Sequence, residues 1–142
     1  QHSILQCHPL VMEGVQIEEV SFQQFRRLWL NIHAFFADDP NALKCKLQYE
    51  CSPLGAELEK DPVIMAAWAP LDRFFERGRE QGLFIDLPVR ALQVLSLDCV
   101  GTLALQRQVH HFELTQEQLE AAIRASWNAI LNPNYSITGA CS

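Results

Sequence analysis

Proline stands in this chain where helices should begin. Asp39-Pro40, Ser52-Pro53 and Asp61-Pro62 each place a helix-capping side chain before a proline, whose fixed φ and missing N–H suit the first helical position. Asp86-Leu87-Pro88 opens a further helix in the same way. Ser21-x-x-Gln24 and Thr115-x-x-Gln118 have the form of the capping box, in which a hydroxyl and the amide three residues on satisfy each other's backbone N–H groups. Strand signals are missing: there is no Asn-Gly turn, no sustained period-two alternation, and few β-branched runs. The expected fold is therefore all-α, with about six helices over roughly 21–37, 40–51, 53–60, 62–81, 88–109 and 115–131.

The apolar spacing says which faces are hidden. Phe22, Phe25, Trp29, Ile32 and Phe36 recur at intervals of three and four, as do Ile64, Trp68, Leu71, Phe75 and Gly78. Opposite the second stripe lie Asp72, Arg73, Glu76, Arg77, Arg79 and Glu80, a solvated face. Gly78 thus falls where a core side chain is expected, and its missing Cβ leaves room for a neighbouring helix or a ligand. Gly82 lies past the last periodic residue and reads as the left-handed C′ stop, with Leu83 or Phe84 folding back as its hydrophobic contact.

From Ala91 to Leu105 the helix beginning at Pro88 carries one charge, Asp98, and is apolar almost all round. Such a helix needs cover on two sides, and a second copy of the chain is the simplest cover for one of them. The last helix, with Leu119, Ala122, Ile123, Trp127 and Ile130 on one face, can pair with it. Two helices from each of two chains would then form an intermolecular four-helix bundle. The expected dimer interface is Leu97, Gly101, Ala104, Leu105, Leu119, Ile123, Trp127 and Ile130, with Gly101 and Ala104 allowing close approach.

Composition excludes other classes. The chain has 142 residues, is 49% hydrophobic and carries a formal charge of −6, so it is globular and lacks the basic face that phosphate neutralisation requires. The five cysteines, Cys7, Cys45, Cys51, Cys99 and Cys141, are irregularly spaced. That pattern argues against a disulfide framework and for a reducing compartment, the cytoplasm. No signal peptide and no apolar run of the ~18 residues that span a bilayer is present.

Three segments carry a resemblance. The run AFFADDPNALKCKLQYE (Ala34–Glu50), the run FFERGREQGLFIDLP (Phe74–Pro88), and the long apolar helix followed by a capped final helix together resemble the C-terminal domain of TetR-family transcriptional regulators. The resemblance covers about residues 21–131 in order. It implies a helical domain that binds a small effector and dimerises through its last two long helices, flanked by an unassigned segment 1–20 and a tail over 132–142. Operator DNA would be a partner only through an N-terminal helix-turn-helix domain, and nothing in this chain reads as that motif. The resemblance further implies a homodimeric regulator, typically a repressor, without catalysis, cofactor or metal. Its effector, small and largely apolar, would bind between the helices expected over 21–37, 40–51, 62–81 and 88–109, where Trp29, His33, Phe36, Cys45, Tyr49, Trp68, Phe75 and Asp98 are the expected lining.

Each residue also has a plainer explanation. His33 suits a core-edge histidine with a satisfied nitrogen, and the aromatics suit core packing. Asp98, a carboxylate within an apolar helix, needs a partner such as Arg107 or Arg124. The rival classes are a helical adaptor with an exposed groove and a Cys/His enzyme or metal protein. For the latter the raw materials are Cys7-His8, His33, Cys45, Cys51 and His110-His111; none has metal-ligand spacing, and a Cys–His nucleophile pair stays open because such partners meet in space rather than in sequence.

Overall fold

The computed structural model describes residues 12–38 and 62–134, the side chains at 63–65 and 67 excepted. Among these residues it contains five helices: α1 (Phe22–Asp38), α2 (Pro62–Glu80), α3 (Val89–Ser96), α4 (Asp98–Val109) and α5 (Gln116–Asn128). No strand occurs among them, and the fold is all-α. The helices expected over 40–51 and 53–60, with Cys45 and Tyr49, lie outside the described residues.

The helix ends follow local chemistry. Thr115 accepts from the Gln118 backbone N–H at 3.1 Å, while the Gln118 side chain accepts from Thr115 N–H at 3.0 Å, so this capping box is complete. At Ser21 the box is half formed. Its hydroxyl accepts from Gln24 N–H at 3.4 Å, but the Gln24 amide accepts instead from Gln16 N–H at 2.7 Å and donates to Glu19, tying the preceding turns to α1. The N-cap of α3 is Pro88 with no side-chain cap bond, so Asp86 does not serve as one. Helix α2 runs through Pro70, which cannot donate to the carbonyl four residues back.

Gly82, at φ +78°, ends α2 as the sequence indicated. Leu83 N–H bonds to Gly78 O at 3.0 Å and Gly82 N–H to Arg79 O at 3.1 Å, which is the Schellman pattern. The chain then folds back and puts the Phe84 ring against Gly78, where an added Cβ would sit 2.2 Å from Phe84 Cε2. The segment past α5 returns beside this turn: Ile85 N–H bonds to Ile130 O at 2.9 Å and Asn132 N–H to Leu83 O at 2.8 Å.

One core joins the helices. Phe25, Leu28 and Trp29 of α1 meet Leu71, Phe74 and Phe75 of α2, Phe84, Leu92 of α3, Val100 of α4, and Ile123, Trp127 and Ile130. Every one of these side chains is almost fully withdrawn from water, worth roughly 1.5–3 kcal/mol for each large apolar residue. Phe84 is packed among Phe74, Phe75 and Trp127, with ring centroids 5.4–6.3 Å apart. Polar ties reinforce the pairing of α1 with α5: Trp29 Nε1–H donates to Ser126 Oγ at 3.1 Å in the core, and Arg26 forks onto the Glu120 carboxylate at the surface.

The single helix expected over 88–109 is two helices. Leu97, at φ −118° and ψ −30°, separates α3 from α4. The buried Ser96 hydroxyl donates to Leu92 O at 2.7 Å, a back-bond that bends helices. The break moves Asp98 into the first turn of α4, where it is exposed and suits the positive end of the helix dipole.

Of the residues expected at a dimer interface, Ile123 and Ile130 are wholly buried inside this one chain, and Leu97, Gly101, Ala104 and Trp127 are largely buried. Leu105 and Leu119 are half-buried. Periodicity identified the buried stripe, and that stripe is taken up by the chain's own core.

Candidate functional site

A second, smaller apolar cluster forms where the end of α1 crosses α4: Phe36 packs on Ala104, with Ile32, Phe35 and Leu105 around them. Above it opens a cleft of about 530 Å³, lined by His33, Ala37, Ala104, Arg107, Gln108, His111 and Glu113. Helical spacing explains how three elements build it. His33 and Ala37 stand four apart on α1, and Ala104, Arg107 and Gln108 stand three and four apart on α4, so each set shares a face. The alanines leave the room. The α4–α5 loop supplies His111, held at φ +54°, and Glu113.

The polar groups of the cleft form one line. The His33 ring stacks on Trp29, centroids 5.4 Å apart and planes 11° from parallel, and its Nε2 lies 3.0 Å from Arg107 Nη1. A guanidinium can only donate, so Nε2 accepts, the ring is neutral, and its proton is on Nδ1. Burial first, and then the Arg107 charge, push the His33 pKa below the ordinary imidazole value. Arg107 Nη2 donates on to Glu113 Oε2 at 3.0 Å. The two ends of that ion pair differ in hydration: the Glu113 side chain is 89% exposed and Arg107 only 21%.

The expected lining residues are dispersed. His33 lines the cleft. Trp29 lies beneath it, buried and hydrogen-bonded to Ser126, and Phe36 belongs to the cluster under the floor. Phe75 is in the main core against Phe84, Trp68 is half-buried against that core, and Asp98 is exposed at the start of α4. For these last three the stripe that suggested a lining turned toward the main core or, at Asp98, toward solvent. Ala37, Arg107, Gln108 and Glu113 are lining residues that periodicity did not single out. The signal of the polar ones is faint: the long polar side chains Gln106, Arg107 and Gln108 in the last turn of a largely apolar helix, before a loop that brings a carboxylate back. Of the paired histidines, His111 turns into the cleft and His110 is exposed. Among the described residues no three metal-ligating side chains converge, and no helix is long and apolar enough to cross a membrane.

Known proteins resemble this chain in sequence and in shape. Residues 21–131 match the family described as tetracyclin repressor-like, C-terminal domain. An uncharacterized HTH-type transcriptional regulator of Haemophilus influenzae is 33% identical over 109 residues, which is 77% of this chain and 56% of that protein; the chain thus spans just over half the length of this curated relative. The solved structure of a protein described as a TetR-family transcriptional regulator from Vibrio parahaemolyticus superposes with a TM-score of 0.77 at 29% identity, covering 92% of this chain and 70% of that one. A TetR-family transcriptional regulator from Haemophilus influenzae superposes at 0.71 with 27% identity, covering 89% and 65%. These relatives are regulators rather than enzymes, and the enzyme reading falls away with them. Sequence and overall shape agree, and the chain belongs to the TetR family of transcriptional regulators as a tetracyclin repressor-like C-terminal domain.

Proposed function

We propose that this chain is the effector-binding and dimerisation part of a transcriptional repressor, and that a small, partly apolar molecule binds the cleft between the ends of α1 and α4. The observation that carries the reading is the cleft itself. Its volume, about 530 Å³, is that of small-molecule sites in general, and in it Ala37 and Ala104 face several converging polar groups. An effector that prefers one arrangement of α1 against α4 shifts the population toward it, and in the whole regulator that shift would change how two helix-turn-helix domains are spaced on operator DNA.

Dimerisation in this reading uses what the core leaves outside. Val94 and Leu95 on α3 and Val109 on α4 are about half exposed, and small residues, Cys99, Thr102 and Ala125, are exposed on α4 and α5. A second copy covering these positions would remove apolar surface from water at close approach. Sedimentation velocity at micromolar concentration should give a dimer, and Leu95→Glu should give a folded monomer. A monomeric parent chain would refute this part.

The effector reading is tested by thermal unfolding against a chemically broad small-molecule panel. A compound should stabilise the parent and lose its effect in Ala37→Trp, which fills the cleft from an exposed helix position. Uniform silence, or stabilisation that survives Ala37→Trp, would overturn it.

A further inference from the structure

We infer that the molecule taken by this cleft carries a carboxylate beside an apolar body, and that Glu113 occupies the place of that carboxylate on Arg107. The inference deepens the effector reading above and rests on it.

Among the described lining residues Arg107 is the permanently charged cation, and its surroundings are matched unequally. On one side Nη1 is committed to the half-buried neutral ring of His33. On the other, Nη2 meets a carboxylate that is almost wholly in water. Exposed ion pairs of that kind contribute little, because the carboxylate gives up strong hydration and side-chain freedom for a screened attraction. A ligand carboxylate entering the cleft would make the same charge-assisted bond while its apolar body covers Ala37 and Ala104, the latter backed by Phe36. Glu113 would return to solvent, freeing the loop whose His111 is held at positive φ.

The opposing field is real. The C-terminal ends of α1 and α4 both reach the cleft, and each carries about half a negative charge. Those ends would favour a cationic ligand, but such a ligand must sit directly against the guanidinium. The choice is therefore between an acid and an amine of the same length.

Isothermal titration of the chain with sodium octanoate, octan-1-ol and octylamine at pH 7.5 separates them. Octanoate should bind about tenfold or more tightly than the alcohol, as expected for a hydrogen bond to a charged group, and Arg107→Gln should reduce it to the level of the alcohol. Glu113→Gln is decisive even if the Arg107 variant fails to fold, since Glu113 is exposed: removing the internal competitor should tighten octanoate roughly two- to five-fold and leave octanol unchanged. Equal binding of acid and alcohol, preference for octylamine, or weaker octanoate binding in Glu113→Gln would each overturn the inference while leaving the cleft an effector site. Silence of all three probes would overturn it too, whereas the effector reading fails only if the broad panel is also silent.

Discussion

Gly78→Ala should destabilise this domain although alanine is the better helix former. Glycine in a helix interior is about 1 kcal/mol worse than alanine, so without contacts the change would help. The contacts forbid it: a Cβ at Gly78 would lie 2.2, 2.4 and 2.9 Å from Phe84 Cε2, Cδ2 and Cζ, against roughly 3.5–4.0 Å for carbons at rest. The ring must retreat by more than about 1 Å, and there is nowhere to go. Phe84 is 1% exposed and wedged among Phe74, Phe75 and Trp127, while the backbone beside it is held by the Ile85 N–H bond to Ile130 O. Overpacking of a rigid site costs about 1–3 kcal/mol, and expelling the ring would cost about 3–5. After the propensity gain, the net loss is roughly 0–2 kcal/mol if the site overpacks and roughly 2–4 kcal/mol if the ring is expelled. Urea unfolding followed by circular dichroism at fixed protein concentration should show a lower midpoint with unchanged slope. In a Phe84→Leu background the cost of Gly78→Ala should shrink by about 1 kcal/mol or more, since the two positions couple through one contact. A Gly78→Ala that shows the full helix-propensity gain of about 1 kcal/mol, or an equal effect in both backgrounds, would refute the placement of Phe84 on α2. Gly82→Ala is the contrasting case: nothing lies within 4 Å, and its cost of roughly 1–2 kcal/mol would come from the positive φ alone.

Ser126→Ala should lower stability by about 1–3 kcal/mol, because it strips the buried Trp29 indole N–H of its acceptor; a change under a few tenths in the urea midpoint analysis would mean that the bond is not made. Thr115→Ala should cost about 1 kcal/mol through loss of the completed capping box, read as a fall in Tm, and an unchanged Tm would refute that cap. His33 has a folded pKa below its unfolded value of 6.5, so the native state binds fewer protons. Its stabilisation is present above pH ~6.5 and is lost as pH falls from there toward the lowered folded value. His33→Gln should therefore flatten the decline in unfolding midpoint between pH 8 and 5, and identical slopes for parent and variant would remove His33 as its source.

Several features were legible because they depend on neighbours in the chain. The start at Thr115, the stop at Gly82 and the buried stripes Phe25/Trp29/Phe36, Leu71/Phe75/Gly78 and Ile123/Trp127/Ile130 follow from caps, a φ requirement and a 3.6-residue period, all within a few turns. Phe74 was missed because the stripe of α2 is wider than one row of positions. The break at Leu97 was hidden because serine is an acceptable helix residue until its hydroxyl is buried and turns back onto Leu92 O.

Sequence by itself determined the helical class, most helix ends, which face of each described helix is apolar, and the family. Tertiary structure alone decided what covers those faces. A period records that a side chain avoids water and is silent on whether its own core or a second copy provides the shelter, so Ile123, Trp127 and Ile130 could be read as interface until the packing placed them in the core. The cleft belongs to the same class of fact. His33 and Arg107 stand 74 positions apart and Arg107 and Glu113 six, and they become one hydrogen-bonded line only because Phe36 docks on Ala104 and brings the end of α1 across α4.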